Sequence, residues 1–137
     1  MGDKRLLVDT SAWIVSFHKG GNEELKSFLR TAIDENRIVT APPILLELLQ
    51  GCKAEKEFDV LKNRLESFAS LSLENLDWDK LYLLAFSLRK KGLTLPTVDI
   101  LIAFLCIEKA YSLLHHDRHF RKIAQHTPLD AIDFLGK

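Results

Sequence analysis

The amino-acid sequence predicts one α/β domain over residues 1–137, built on a parallel sheet with helices on both faces. Three observations lead there. Short apolar runs alternate along the chain with longer amphipathic stretches, the pattern that strand–helix–strand crossovers require. An apolar content of 47% suffices for one buried core. Six Gly and four Pro, none of them clustered into a linker, leave nothing to divide the chain into two domains.

The elements follow in order. Arg5-Leu6-Leu7-Val8 reads as a first strand, ending at Asp9-Thr10-Ser11, a polar cluster able to start a helix. Glu23 to Glu35 is an amphipathic helix with Leu25, Phe28, Leu29, Ala32 and Ile33 on one stripe. Arg37 to Thr40 is a second strand. Ala41-Pro42-Pro43 then opens a helix over Ile44 to Gln50, which Gly51 stops. The spacing of Phe58, Leu61, Leu65 and Phe68 makes Glu55 to Phe68 helical, and Leu71-Ser72-Leu73 is the candidate third strand. Asp77 begins a helix carrying Leu81, Leu84, Ala85 and Leu88, closed by Lys90-Lys91-Gly92, and Pro96 opens another to about Ala110. Ser112 to His115 is a strand leading into Asp117, and Asp130-Ala131-Ile132 is a weak last one.

Composition narrows the function classes. Nineteen basic and 19 acidic side chains give a net charge of +0, which excludes a polybasic nucleic-acid binder but not a local basic face. Two cysteines, Cys52 and Cys106, share no motif and suit a reduced, cytoplasmic setting as small core or near-core residues. No targeting or membrane segment is expected. Leu6-Leu7-Val8 is too short for a signal peptide, and Arg5-Leu6 breaks the myristoylation motif that Gly2 would begin. The most apolar stretch, Val98 to Ile107, is interrupted by Asp99 and is about half the roughly 20 residues a spanning helix needs.

Four acidic residues stand where solvated acids normally do not. Glu47 lies among Ile44, Leu46 and Leu48 at helical spacing, and Asp99 is the lone charge among Ile102, Ala103 and Cys106. Asp9 and Asp117 each follow an apolar strand, and ligands of open parallel sheets bind beyond the carboxyl ends of strands. Glu47 and Asp99 sit early in helices that start near that same rim. Each also has an ordinary reading: Asp9 as a helix cap, Asp99 as a first-turn acid favoured by the helix dipole, Glu47 on a surface helix, Asp117 in a turn. Carboxylates gathered together repel unless a cation neutralises them or some take up protons. No Lys or Arg adjoins Asp9, Glu47 or Asp99 in the sequence, and an all-oxygen donor set suits Mg²⁺ or Mn²⁺ over Zn²⁺.

These stretches carry a family resemblance over nearly the whole chain. Val8-Asp9-Thr10-Ser11-Ala12-Trp13, Leu46-Glu47-Leu48-Leu49-Gln50-Gly51, Asp99-Ile100-Leu101-Ile102-Ala103 and Leu113-Leu114-His115-His116-Asp117-Arg118-His119-Phe120 resemble, in order, the four signature stretches of PIN domains. More narrowly they resemble the VapC toxins of bacterial and archaeal toxin–antitoxin pairs. His115 departs from the Thr or Ser that many relatives carry there. The resemblance implies a three-layer α/β/α sandwich with a central parallel sheet, and a Mg²⁺- or Mn²⁺-dependent endoribonuclease. Carried over residue by residue, it implies Asp9, Glu47, Asp99 and Asp117 as the acidic quartet that holds metal, with Ser11 at the hydroxyl position beside the first Asp. It further implies a homodimer, an RNA substrate, and a small antitoxin whose C-terminal segment covers the acidic pocket.

On that basis Asp9 and Asp99 are expected as primary metal ligands, with Glu47 and Asp117 ligating directly or through water. Ser11 would hydrogen-bond a carboxylate or the substrate phosphate. Attack by water needs no 2′-hydroxyl, so 5′-phosphate and 3′-hydroxyl products are expected.

Other features have plainer readings. His115, His116 and His119 match no zinc spacing and read as surface-loop residues. Arg118, Arg121 and Lys122 could hold RNA phosphates near the site, and Arg89-Lys90-Lys91 at a distance, though cations at a helix end are ordinary. Trp13 suits base stacking, an interface or the core. No nucleophile motif supports a serine or cysteine hydrolase, and no Gly-rich loop a nucleotide cofactor. A receiver-like phosphoacceptor would need an acidic pair just after the first strand and a late strand-end Lys, both missing. A catalytically silent PIN module acting as an RNA or protein scaffold is the remaining alternative. Setting the quartet aside leaves 19 basic against 15 acidic groups, so neutrality is the sum of an acidic pocket and a mildly basic surround.

Overall fold

The structure, a computed structural model, describes residues 4–136. Gly2, the residue of the failed myristoylation motif, lies outside them. Five strands, β1 (Leu6–Val8), β2 (Ile38–Thr40), β3 (Ala69–Ser70), β4 (Ser112–His115) and β5 (Asp130–Asp133), form one sheet in the order β3-β2-β1-β4-β5. Every pairing is parallel. Leu6, Leu7 and Val8 are all fully buried although successive strand residues face opposite sides of a sheet, so both faces of β1 are covered.

The helices are α1 (Thr10–Phe17), α2 (Glu23–Asp34), α3 (Pro42–Gln50), α4 (Glu55–Glu66), α5 (Trp78–Lys90), α6 (Thr97–Lys109) and α7 (Arg118–Ala124). They fall into two packing groups: α1 with α2 and α3, and α3 with α4; then α5 with α6, and α6 with α7. The result is the three-layer α/β/α sandwich with a central parallel sheet. Most of α6 is buried, from Asp99 and Ile100 through Ile102 to Cys106, which is why its sequence is apolar nearly all round. It ends at Ala110, held at φ 57°, a left-handed position that glycine would occupy without strain.

Three expectations shift. The third strand is Ala69–Ser70, immediately before the apolar run Leu71–Leu73. This is a short, exposed edge strand, so hydrophobicity does not mark it; Leu71 is buried just beyond it, its amide still donating to the Thr40 carbonyl at 2.7 Å. Helix α3 starts at Pro42 because both prolines occupy its first turn, where no amide hydrogen is needed. A seventh helix, α7, follows Asp117 and carries His119, where a surface-loop histidine is expected. Asp117 caps it, accepting from the His119 amide at 2.8 Å.

The order β3-β2-β1-β4-β5 places the chain's change of direction at β1 and β4. From β1 the chain moves outward through β2 and β3, then returns to lay β4 on the other side of β1. The crevice beyond the carboxyl ends of β1 and β4 is where such sheets bind ligands.

Candidate metal centre

Asp9 and Asp117 leave neighbouring strands. Val8 pairs with Leu114, and the Asp9 amide donates to the Leu114 carbonyl at 2.9 Å, so β1 and β4 end side by side. Asp9 caps α1: its Oδ2 accepts from the Ser11 amide at 2.9 Å and from Ser11 Oγ at 2.6 Å. Ser11 Oγ in turn accepts from the His116 amide at 3.0 Å. One hydroxyl thus fixes the first carboxylate and joins the start of α1 to the end of β4.

Glu47 enters from α3, half-buried, and its Oε1 accepts a 2.7 Å hydrogen bond from Thr10 Oγ1. It does not lie on a helix that is apolar all round, because neighbouring Leu46 is 71% exposed. Asp99 enters from the first turn of α6 and retains 9% of its surface. Its Oδ2 lies 3.0 Å from His119 Nδ1, which is also 3.2 Å from Asp117 Oδ1.

The four carboxylates therefore converge from four elements on the carboxyl edge of the sheet. Asp99 and Asp117 are brought closest: one ligand atom from each, with His119 Nδ1, lie within 4.8 Å of one another. Asp9 and Glu47 stand outside this tightest group, but their charges act on it. Burial pushes the Asp9 carboxyl up to about 6 against the Ser11 hydrogen bonds, and repulsion from Asp99 and Glu47 adds to the rise. Asp99 is raised too, by burial first, then by Asp117 and Glu47, with His119 opposing. Among the described residues, no lysine or arginine pairs with any of the four. Four acids crowded together, with only the His119 ring beside Asp99 and Asp117, form a site that a divalent cation would stabilise.

His116 lies in the loop between β4 and α7, as expected, but His115 and His119 depart from the surface-loop expectation. His115 is the last residue of β4 and 0% exposed; burial lowers its pKa, and its Nδ1 accepts from the Asp117 amide at 3.2 Å. That bond leaves Nε2 carrying the proton, without a hydrogen-bond partner among the described residues, with the ring against Phe120. His119 is a member of the acidic cluster. Spacing could not reveal it without α7, yet Asp117 two residues earlier is the capping signal that would have placed it. Trp13 takes the core option, 5% exposed and stacked on Phe17 and Phe68. Arg121 is engaged by Asp133 and by the Leu135 carbonyl.

The fold and site define an α/β domain with an acidic cluster at the switch point of a parallel sheet. The PIN domain family model matches residues 6–125, and the chain belongs to the PIN domain family. Comparison with curated proteins gives no match. Among solved structures, the fold is similar to that in VapBC2 from Rickettsia felis bound to a DNA fragment from the promoter, with TM-score 0.78 and 18% identity over 94% of this chain and 98% of that one. It is similar to that in DNA-bound VapBC from Salmonella typhimurium, with TM-score 0.73 and 17% identity over 95% and 98%. A third likeness is to FitAcB from Neisseria gonorrhoeae, with TM-score 0.68 and 16% identity over 93% and 96%. Identities this low establish a shared fold.

Proposed function

We propose that this chain is a Mg²⁺- or Mn²⁺-dependent endoribonuclease, the toxin of a type II toxin–antitoxin pair of the VapC kind. The observation that carries this reading is the convergence of Asp9, Glu47, Asp99 and Asp117 with no lysine or arginine paired to them among the described residues. The resemblance to VapBC assemblies supports the toxin assignment.

The donors suit a hard divalent cation, which when bound would acidify water and offset charge on a phosphate. Asp99 and Asp117 would hold it, with Asp9 and Glu47 ligating directly or through water. Ser11 orients Asp9 by its 2.6 Å bond, and Thr10 orients Glu47 by its 2.7 Å bond. A water attacking phosphorus would lose its proton toward this carboxylate group while the bond to the 3′-oxygen breaks. The products would carry a 5′-phosphate and a 3′-hydroxyl. Exposed Arg118 and Lys122 flank Asp117 and His119 on α7 and would meet RNA phosphates.

The proposed partner is a small antitoxin whose C-terminal segment covers the acidic pocket. Exposed Leu46, next to Glu47 on α3, offers apolar surface beside it. We also propose a homodimer, supported by exposed Trp78, Tyr82, Leu83 and Phe86 on α5. Both cysteines are free, which suits the reduced, cytoplasmic setting we propose. Among the described residues no helix is long and apolar enough to cross a membrane. The test is metal-dependent cleavage of an RNA panel by the purified chain, with Asp9→Ala as control. Cleavage by wild type alone supports the reading; RNA binding without cleavage would make the chain a scaffold.

A further inference from the structure

We propose that His119 is itself a metal ligand, and that its imidazole makes this site prefer Mn²⁺ and Co²⁺ to Mg²⁺. The inference rests on the metal-dependent reading above and adds to it a nitrogen donor, where four oxygen donors were expected. Three observations carry it. His119 Nδ1 stands 3.0 Å from Asp99 Oδ2 and 3.2 Å from Asp117 Oδ1, an imidazole nitrogen facing two carboxylates at once. Adjacent donors on an octahedral ion with bonds of about 2.0–2.1 Å are separated by about 2.9 Å, so these spacings match two edges of such a shell. The Asp117 carboxylate is held for this contact by the His119 amide at 2.8 Å, which couples the position of one donor to the backbone of the other.

The chemistry of selection follows from the donor types. Mg²⁺ is hard, holds its waters and takes oxygen almost exclusively. An imidazole contributes little to it, but strengthens binding along the series from Mn²⁺ to Co²⁺ and Ni²⁺. Asp99, Asp117 and His119 are a mixed oxygen–nitrogen set, unlike the all-oxygen set that suits Mg²⁺. The competing account is that the ring merely donates its proton to the two carboxylates and must leave before a cation enters.

The two accounts predict opposite results. Mn²⁺, Co²⁺ and Mg²⁺ are each titrated into wild type, His119→Ala and His119→Asp, following melting temperature and calorimetric heat. The ligand role predicts at least a tenfold loss of Mn²⁺ and Co²⁺ affinity in His119→Ala, with Mg²⁺ changed less than about threefold. His119→Asp, restoring an oxygen donor, should bind Mg²⁺ at least as well as wild type and lose the preference. Pulsed electron paramagnetic resonance of Mn²⁺-loaded wild type should show coupling to a directly bound nitrogen-14, absent in His119→Ala. An unchanged Mn²⁺-to-Mg²⁺ ratio, tighter Mn²⁺ binding in His119→Ala, or no nitrogen coupling in wild type overturns the inference while leaving a metal-dependent nuclease intact. Failure of wild type to bind any of the three ions overturns both.

Discussion

Thr10 Oγ1 donates to Glu47 Oε1 at 2.7 Å, tying the first residue of α1 to the middle of α3 across the candidate metal centre. Thr10 follows Asp9 directly, so a single short segment, Asp9-Thr10-Ser11, supplies one carboxylate and steers two. Thr10→Val keeps the shape and removes the donor. It should lower melting stability by only about 1 kcal/mol, the net worth of one hydrogen bond. Released from its partner, Glu47 should misplace, and cleavage should fall by about tenfold or more, as when a partner of a metal ligand is lost. Single-turnover rates at saturating metal would measure this.

The crowding of acids sets a pH dependence for the metal-free protein. Asp9 has an ordinary value of 3.8 and is pushed up to about 6 in the fold, chiefly by burial. A raised carboxyl stabilises the fold when protonated, so its contribution is complete below the unfolded value and lost as pH rises through about 6. The change is up to roughly 3 kcal/mol. Asp9→Asn mimics the protonated form and should melt like wild type near pH 4 but several degrees higher near pH 7, with chelator present. Calorimetry across that range is the check.

Ala110 ends α6 at φ 57°, where its Cβ is strained. Ala110→Gly should therefore stabilise the fold by about 1 kcal/mol, the left-handed penalty outweighing the added freedom of the unfolded chain. It should leave cleavage unchanged, since Ala110 lies at the end of α6 opposite Asp99. Urea denaturation would read the gain.

The exposed apolar stripe of α5 bears on self-association. Phe86→Glu places a charge amid Tyr82, Leu83 and Trp78, on a surface already open to solvent. It should convert a dimer to a monomer without lowering the melting temperature of the monomer. Sedimentation velocity over a range of concentrations would detect it.

Much of this was legible in sequence because parallel-sheet proteins write their topology in alternating blocks. β4 is expected at Ser112 to His115 and lies there, with Leu113 and Leu114 fully buried at its centre. The anomalous setting of Asp99 was legible because α6 is apolar around it. β3 was not, because an edge strand of two exposed residues carries no hydrophobic signal. The place of His119 depends on α7, a helix of only 7 residues whose periodicity is too short to register, so the Asp117 cap is the one local signal for it. The Thr10–Glu47 bond joins residues 37 apart, and local pattern does not encode such contacts.

The central claim is that the four carboxylates form a metal centre that cuts RNA, and Asp99→Asn tests it most directly. Asp99 is raised by burial and by Asp117 and Glu47, so neutralising it relieves repulsion while removing a ligand. The measurement pairs RNA cleavage in Mn²⁺ or Mg²⁺ with the melting temperature in chelator. The account predicts cleavage by wild type and none by Asp99→Asn, with the metal-free variant as stable as wild type or more so, and a metal-induced rise in melting temperature for wild type alone. Cleavage by Asp99→Asn at the wild-type rate, or a metal-free variant strongly destabilised, would contradict it.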